Sequence, residues 1–258
     1  MEGRCLPVFK SEPNDWGIVP LYAFDQLDEK TQQRIIDNSR TDFARNIDYD
    51  YDISVFIVDA EKRGITVKED DVQFALGGRQ GDGASFVTNK IDFKKIMADN
   101  GFYEKLAKYR PVNHEQLFEE IVHGLEGNIH RVESSYCHKN TVLADVSYDG
   151  KLSFIGREIA SALEKTINEI KDELCDRLYD NLQDTYFNSV SDENIRYYYL
   201  NSDNLFFING EHVNPEIFDY SNAAKQAKDF LKLPDGDRRD IGTMIDKAVE
   251  RSAQRGRS

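Results

Sequence analysis

The longest regular pattern of apolar and polar positions lies in the second half of the chain. In Ile155–Tyr186 the residues Ile155, Ile159, Leu163, Ile167, Ile170, Leu174, Leu178, Leu182 and Tyr186 recur every three or four positions on a polar background. The spacing predicts an amphipathic helix of about thirty residues, ~45 Å long at 1.5 Å per residue. Near the N-terminus, Ile35, Ile36, Phe43 and Ile47 fall near one face of a second helix that starts after Asp28, whose carboxylate suits the free N–H groups of a first turn. A third helix is predicted over about Tyr51–Arg63, burying Val55, Phe56, Val58 or Ala60 and stopping at Gly64.

From Ile65 the period shortens towards two. Val72–Leu76 and Ala84–Val87 read as strands of one hairpin around a glycine-rich loop. Asn128–Tyr136 and Thr141–Tyr148 alternate well enough to be a second antiparallel pair, with Lys139-Asn140 as its turn. Between the pairs, residues 94–110 read as two short helical pieces broken at Gly101, and His114–Gly124 as a helix with Leu117, Phe118, Ile121 and Val122 inward. Ser191 caps a further short helix, and Leu205–Val213 reads as a terminal hairpin turning at Asn209-Gly210.

These elements give an α+β fold, with antiparallel hairpins packed against helices that include one long amphipathic one. Three segments follow: an extended, proline-containing lead-in at 1–20 with at most a short strand near Leu6–Phe9, a core domain at 21–214, and a C-terminal extension at 215–258 with short helices around Asn222–Leu231 and Ile241–Ala253. At 258 residues the chain is long enough to bury a sizeable core.

Charge narrows the function classes. The formal net charge is -14, and the extension, with nine Lys/Arg and eight Asp/Glu, contributes none of it. An acidic surface repels nucleic acid and membrane phosphates and attracts basic protein partners. Three cysteines with no CxxC spacing argue against a disulfide framework, and no run approaches the ~18 apolar residues of a membrane helix, so a cytosolic protein is expected.

The most constrained local feature is Gly77–Phe86, GGRQGDGASF. Converging glycine N–H groups with Arg79, Gln80, Gly81, Asp82, Gly83 and Ser85 would suit an anion or nucleotide. The glycine order matches neither the dinucleotide fingerprint nor the P-loop, and the string joins two strands instead of opening a helix. The preferred reading is therefore a loop whose glycines shape the backbone. The alternating Asp48, Tyr49, Asp50, Tyr51 and Asp52 lack the glycine and glutamate of a calcium loop, having Ile53 and Asp59 at those places. They suit a helix entry or, with Tyr197 and Tyr198, a partner-binding surface, because tyrosine contributes large contact area at low entropy cost. The five histidines show no metal-ligand spacing, no cofactor is expected, and no convergent catalytic set is apparent, which leans away from an enzyme.

Phe24-Asp25-Gln26-Leu27 before a charged helix, the string Gln80–Phe86 (QGDGASF), Ser191-Asp192-Glu193 and Phe207-Ile208-Asn209-Gly210 together resemble a family of uncharacterised phage and prophage proteins, sometimes labelled antitoxin-like. The resemblance spans about Leu21–Val213, and the lead-in and extension depart from it. It implies a phage-encoded accessory protein acting on host machinery in the bacterial cytoplasm. The expectation is thus an acidic protein that binds and modulates or inhibits a bacterial host protein. The alternative is a small-ligand or nucleotide-binding protein using the glycine loop.

Overall fold

The structure, a computed structural model, describes residues 4–9, 16–109, 113–132 and 135–212. It is α+β, as the periodicities predict. Its contacts cluster into two compact units, residues 44–190 and residues 1–43 with 191–258. The segment 21–214 expected as the core domain takes in the whole of the first unit and part of the second. The helices expected in 215–258 lie outside the described residues.

In the unit 44–190, α2 (Asp50–Lys62) is followed by the hairpin β3 (Val72–Ala75) and β4 (Gly83–Phe86), the short helices α3 (Phe93–Asp99), α4 (Phe102–Tyr109) and α5 (His114–His123), the hairpin β5 (Leu125–Arg131) and β6 (Val142–Tyr148), and α6 (Ser153–Ser189). Helix α2 stops as the sequence anticipates, at Gly64 with φ +84°. Strands β3 and β4 pair antiparallel from Val72↔Phe86 to Ala75↔Gly83, and β5 and β6 from Leu125↔Tyr148 to Arg131↔Val142. The second pair starts three residues before the predicted Asn128, because Gly124 ends α5 directly into the strand. Two backbone bonds between Thr88 and Ile129 stitch one hairpin to the other.

Helix α6 exceeds the predicted span at both ends and, at 37 residues, is ~55 Å long. Its stripe is the backbone of the core: Ile159, Leu163, Ile167, Leu174, Leu178 and Leu182 are buried, with Phe86, Ile129, Val142 and Ala144 from the strands and Phe56 from α2 in the same cluster. A second, polar stripe runs beside it. Lys171 Nζ donates to the carbonyl of Val142 (2.8 Å), Asn168 Nδ2 donates to the carbonyl of Ala144 (3.2 Å) while its Oδ1 accepts that residue's N–H (3.0 Å), and Glu164 accepts the N–H of Val146 (3.3 Å). Positions 164, 168 and 171 step by four and three, as do the helix turns, while 142, 144 and 146 alternate along the strand. The helix thus satisfies the outer edge of β6 with side chains, where another strand would otherwise be needed.

In the other unit, β1 (Arg4–Phe9) and β2 (Trp16–Leu21) pair antiparallel from Arg4↔Leu21 to Phe9↔Trp16, so the lead-in forms a hairpin where only one short strand was expected. Most of α1 (Glu29–Arg45) and α7 (Asp192–Asn201) pack around Phe24, Leu27, Ile35, Ile36, Ile195 and Phe206. Asp28 caps α1 as predicted: its carboxylate accepts the Thr31 N–H and hydroxyl, both at 2.9 Å, and these bonds lower its pKa. Ser191 caps α7 by accepting the Asn194 N–H. The terminal hairpin reduces to the single antiparallel bridges Tyr22↔Phe206 and Phe206↔His212 around a turn at Ile208-Asn209.

Candidate functional site

Glycines in Gly77–Phe86 do what the backbone requires of them. Gly78, Gly81 and Gly83 have φ of +67°, +101° and +156°. A Cβ on Gly81 would fall inside the Tyr136 ring, and one on Gly83 would lie 2.6 Å from His138 Cβ. The loop is clasped by the segment after β5, whose Cys137 N–H donates to the Gly81 carbonyl (3.3 Å). Arg131 completes the clasp, donating to Ser85 Oγ (3.1 Å), the Tyr136 carbonyl (3.1 Å) and Thr141 Oγ1 (3.2 Å).

The six residues proposed for a ligand do not converge. Asp82 turns inward to accept the Arg79 N–H at 2.9 Å, bracing the turn. Ser85 is 0% exposed and bonded to Arg131, while Arg79 and Gln80 are exposed. This geometry orders backbone and keeps the Ser85 hydroxyl enclosed against Arg131, away from the exposed Arg79 side chain. Arg131, Tyr136 and His138, which hold the loop, lie some fifty residues away in sequence and carry no local signal of that role. Cys175 is buried on α6, and burial pushes its thiol up to about 12, so it offers no thiolate nucleophile near neutral pH.

The Asp48–Asp52 residues form the start of α2. Asp48 accepts the Asp50 N–H (2.9 Å), and Asp50 and Asp52 occupy the first turn, where carboxylates suit the helix dipole. Tyr49 turns inward against Phe74, ring centroids 5.1 Å apart, and burial raises its pKa. Tyr51 turns outward and is 77% exposed.

Val55 and Val58, placed in the core by the sequence reading along with Phe56 and Ala60, are 40% and 50% exposed. Only Phe56 and Ala60 face inward. The reason is geometric: α2 buries one narrow stripe, and a run of apolar residues at 55–58 must turn part of itself outward. Tyr51, Val55 and Val58 step by four and three and therefore share an outer face.

That face borders a groove of about 450 Å³ between α2 and α6, lined among others by Val55, Phe56, Val58, Leu174 and Leu178. The two helices run antiparallel, since Arg63 bridges Glu173 (2.6 Å) and Asp59 bridges Arg177.

A family profile, described only as a domain of unknown function (DUF8835), matches residues 49–192. The chain belongs to the DUF8835 family. The match covers α2 to the end of α6, so the DUF8835 segment coincides with one compact unit and contains both the glycine loop and the groove. No curated protein and no solved structure matches the chain.

Tyr197 and Tyr198 belong to the other unit, beyond the matched residues. Tyr197 is 67% exposed, while Tyr198 packs edge-on against Phe43, centroids 5.2 Å apart. Tyr199 between them and the core stacks on Phe24 and shares a 2.8 Å hydrogen bond with Ser39. Tyr197 and Tyr198 are thus both exposed, and Tyr199 alone of the three turns to the core. Among the described residues no cluster of three metal-ligating side chains occurs, and no helix is long and apolar enough to cross a membrane.

Proposed function

We propose that this is a non-enzymatic, phage-encoded accessory protein that binds a bacterial host protein and modulates or inhibits it, in the host cytoplasm. The observation that carries the reading is the outer face of α2. There Tyr51, Val55 and Val58 stand in water beside Asp48, Asp50 and Asp52. Contiguous apolar surface of this kind mixed with aromatic and charged groups is the composition of a contact site. The net charge of -14 adds a preference for a basic partner. The phage origin rests on the motif resemblance given above, and DUF8835 membership is neutral towards it.

The test is site-specific photo-crosslinking in bacterial cells that express the full chain. A photoreactive residue at position 51 or 58 is expected to trap one predominant host protein, with at least tenfold less yield from the exposed Glu126 position on β5. Equal, diffuse labelling from all three positions would overturn the assignment of this face.

A further inference from the structure

Resting on the assignment of α2 as the contact face, we infer that the element it receives is an amphipathic helix of the partner, basic at one end, lying in the groove between α2 and α6. The groove is formed by two antiparallel helices. Its α2 wall is built from Val55, Val58 and Lys62 and its α6 wall from Leu174, Arg177, Leu178 and Asn181, neighbours within each set mostly three or four residues apart; Tyr51 and Asp184 continue the two rows one turn beyond the groove. A channel between two helical ridges matches the ridge of a third helix. Between Ser54 and Lys62 the α2 wall is ~12 Å long, two turns, which spans the i, i+4 and i+7 anchors of such a helix. The floor, Phe56, Leu174 and Leu178, is closed core, so the apolar contact available to an occupant comes from the exposed Val55 and Val58 of the α2 wall.

Charge fixes the direction and the chemistry. Lys62 lies at one end of the groove beside the Arg63–Glu173 pair, and Arg177 along the wall is matched by Asp59. Toward the other end stand Asp48, just before α2, Asp50 and Asp52 in its first turn, and Asp184, three residues beyond Asn181 on the antiparallel α6, and all but the half-buried Asp52 are exposed. An occupant must therefore bring lysine or arginine to the Tyr51 end and apolar side chains to the middle. A second copy of this chain is the poorer occupant, because it brings the same carboxylates and a further -14 of charge.

The probe is a synthetic 18-residue helical peptide with leucines at i, i+4, i+7 and i+11 and four lysines at one end, titrated into the full-length protein by fluorescence anisotropy. Its partner probe carries glutamates in place of the lysines. The basic peptide is expected to bind at least tenfold more tightly than the acidic one. Val58→Asp and the triple variant Asp50→Asn, Asp52→Asn, Asp184→Asn should each weaken it at least tenfold, with circular dichroism and thermal midpoints showing that both variants fold. Equal binding of the two peptides, or binding unchanged by Val58→Asp, would overturn the inference. Light scattering that finds a dimer dissolved by Val58→Asp would give the groove to a second copy and overturn it too. Crosslinks from positions 51 and 58 to a host protein without any peptide binding would sink the helical occupant and leave the face assignment standing. Absent crosslinks would remove that assignment itself.

Discussion

Gly81 concentrates the constraint in the loop, and two separate effects act on it. Its φ of +101° disfavours any side chain, and the space beside its Cα is taken by the Tyr136 ring. Gly78 has a positive φ as well, at +67°, yet a Cβ there would meet nothing within 4 Å. The two positions therefore separate backbone strain from steric conflict. Gly78→Ala should cost about 1 kcal/mol, the penalty for a non-glycine residue in left-handed backbone. Gly81→Ala should cost about 2–4 kcal/mol, because displacing Tyr136 also loosens the Cys137 and Arg131 bonds that close the clasp. Urea denaturation of both variants measures the difference, and equal losses would show that Tyr136 yields freely. Adding Tyr136→Ala to Gly81→Ala should recover the steric part and leave the backbone part.

At the scale of elements, α6 serves as the core's spine and as the cover for a strand edge. Asn168 replaces a neighbouring strand at Ala144, pairing both its N–H and its carbonyl. Asn168→Leu keeps the branched shape and removes those partners, leaving a buried donor and acceptor unmet at about 1–3 kcal/mol. Asn168→Leu should therefore lower the urea midpoint, and hydrogen exchange at the Ala144 amide should rise selectively. Unchanged exchange there would mean that β6 does not depend on the helix for its edge. This pairing marks the limit of what the sequence makes legible. The stripe Ile159–Leu182 is visible at once, because burial alone selects apolar residues at helical spacing. Glu164, Asn168 and Lys171 look like ordinary surface polarity, since nothing local says that a strand edge lies under them. Val55 and Val58 mislead for the converse reason: hydrophobicity reports a preference for burial, whereas exposure on α2 depends on which neighbour fills the space. The glycine loop was readable as backbone geometry, but Tyr136 and Arg131, which enforce that geometry, are joined to it only by tertiary structure.

On the scale of the whole molecule, the boundary of the DUF8835 match at 49–192 falls within a few residues of the compact unit 44–190. That unit holds a complete core of its own. Phe56, Phe86, Leu117, Ile129, Leu163 and Leu178 are buried within one cluster that draws on α2, both hairpins, α5 and α6. The fragment 44–190 should consequently fold alone, with a single cooperative urea transition and the secondary structure of α6 retained. Its 18 Lys/Arg and 27 Asp/Glu leave it acidic, so it should also keep the charge that draws a basic partner to α2. In such a pair the association rate of the fragment should fall several-fold between 50 and 300 mM salt, while dissociation, set by the apolar groove, changes little. Stopped-flow binding of the lysine-bearing helix separates the two rates. A fragment that unfolds non-cooperatively would show that residues outside 44–190 complete its core, and an association rate insensitive to salt would remove electrostatic attraction from the account of partner choice.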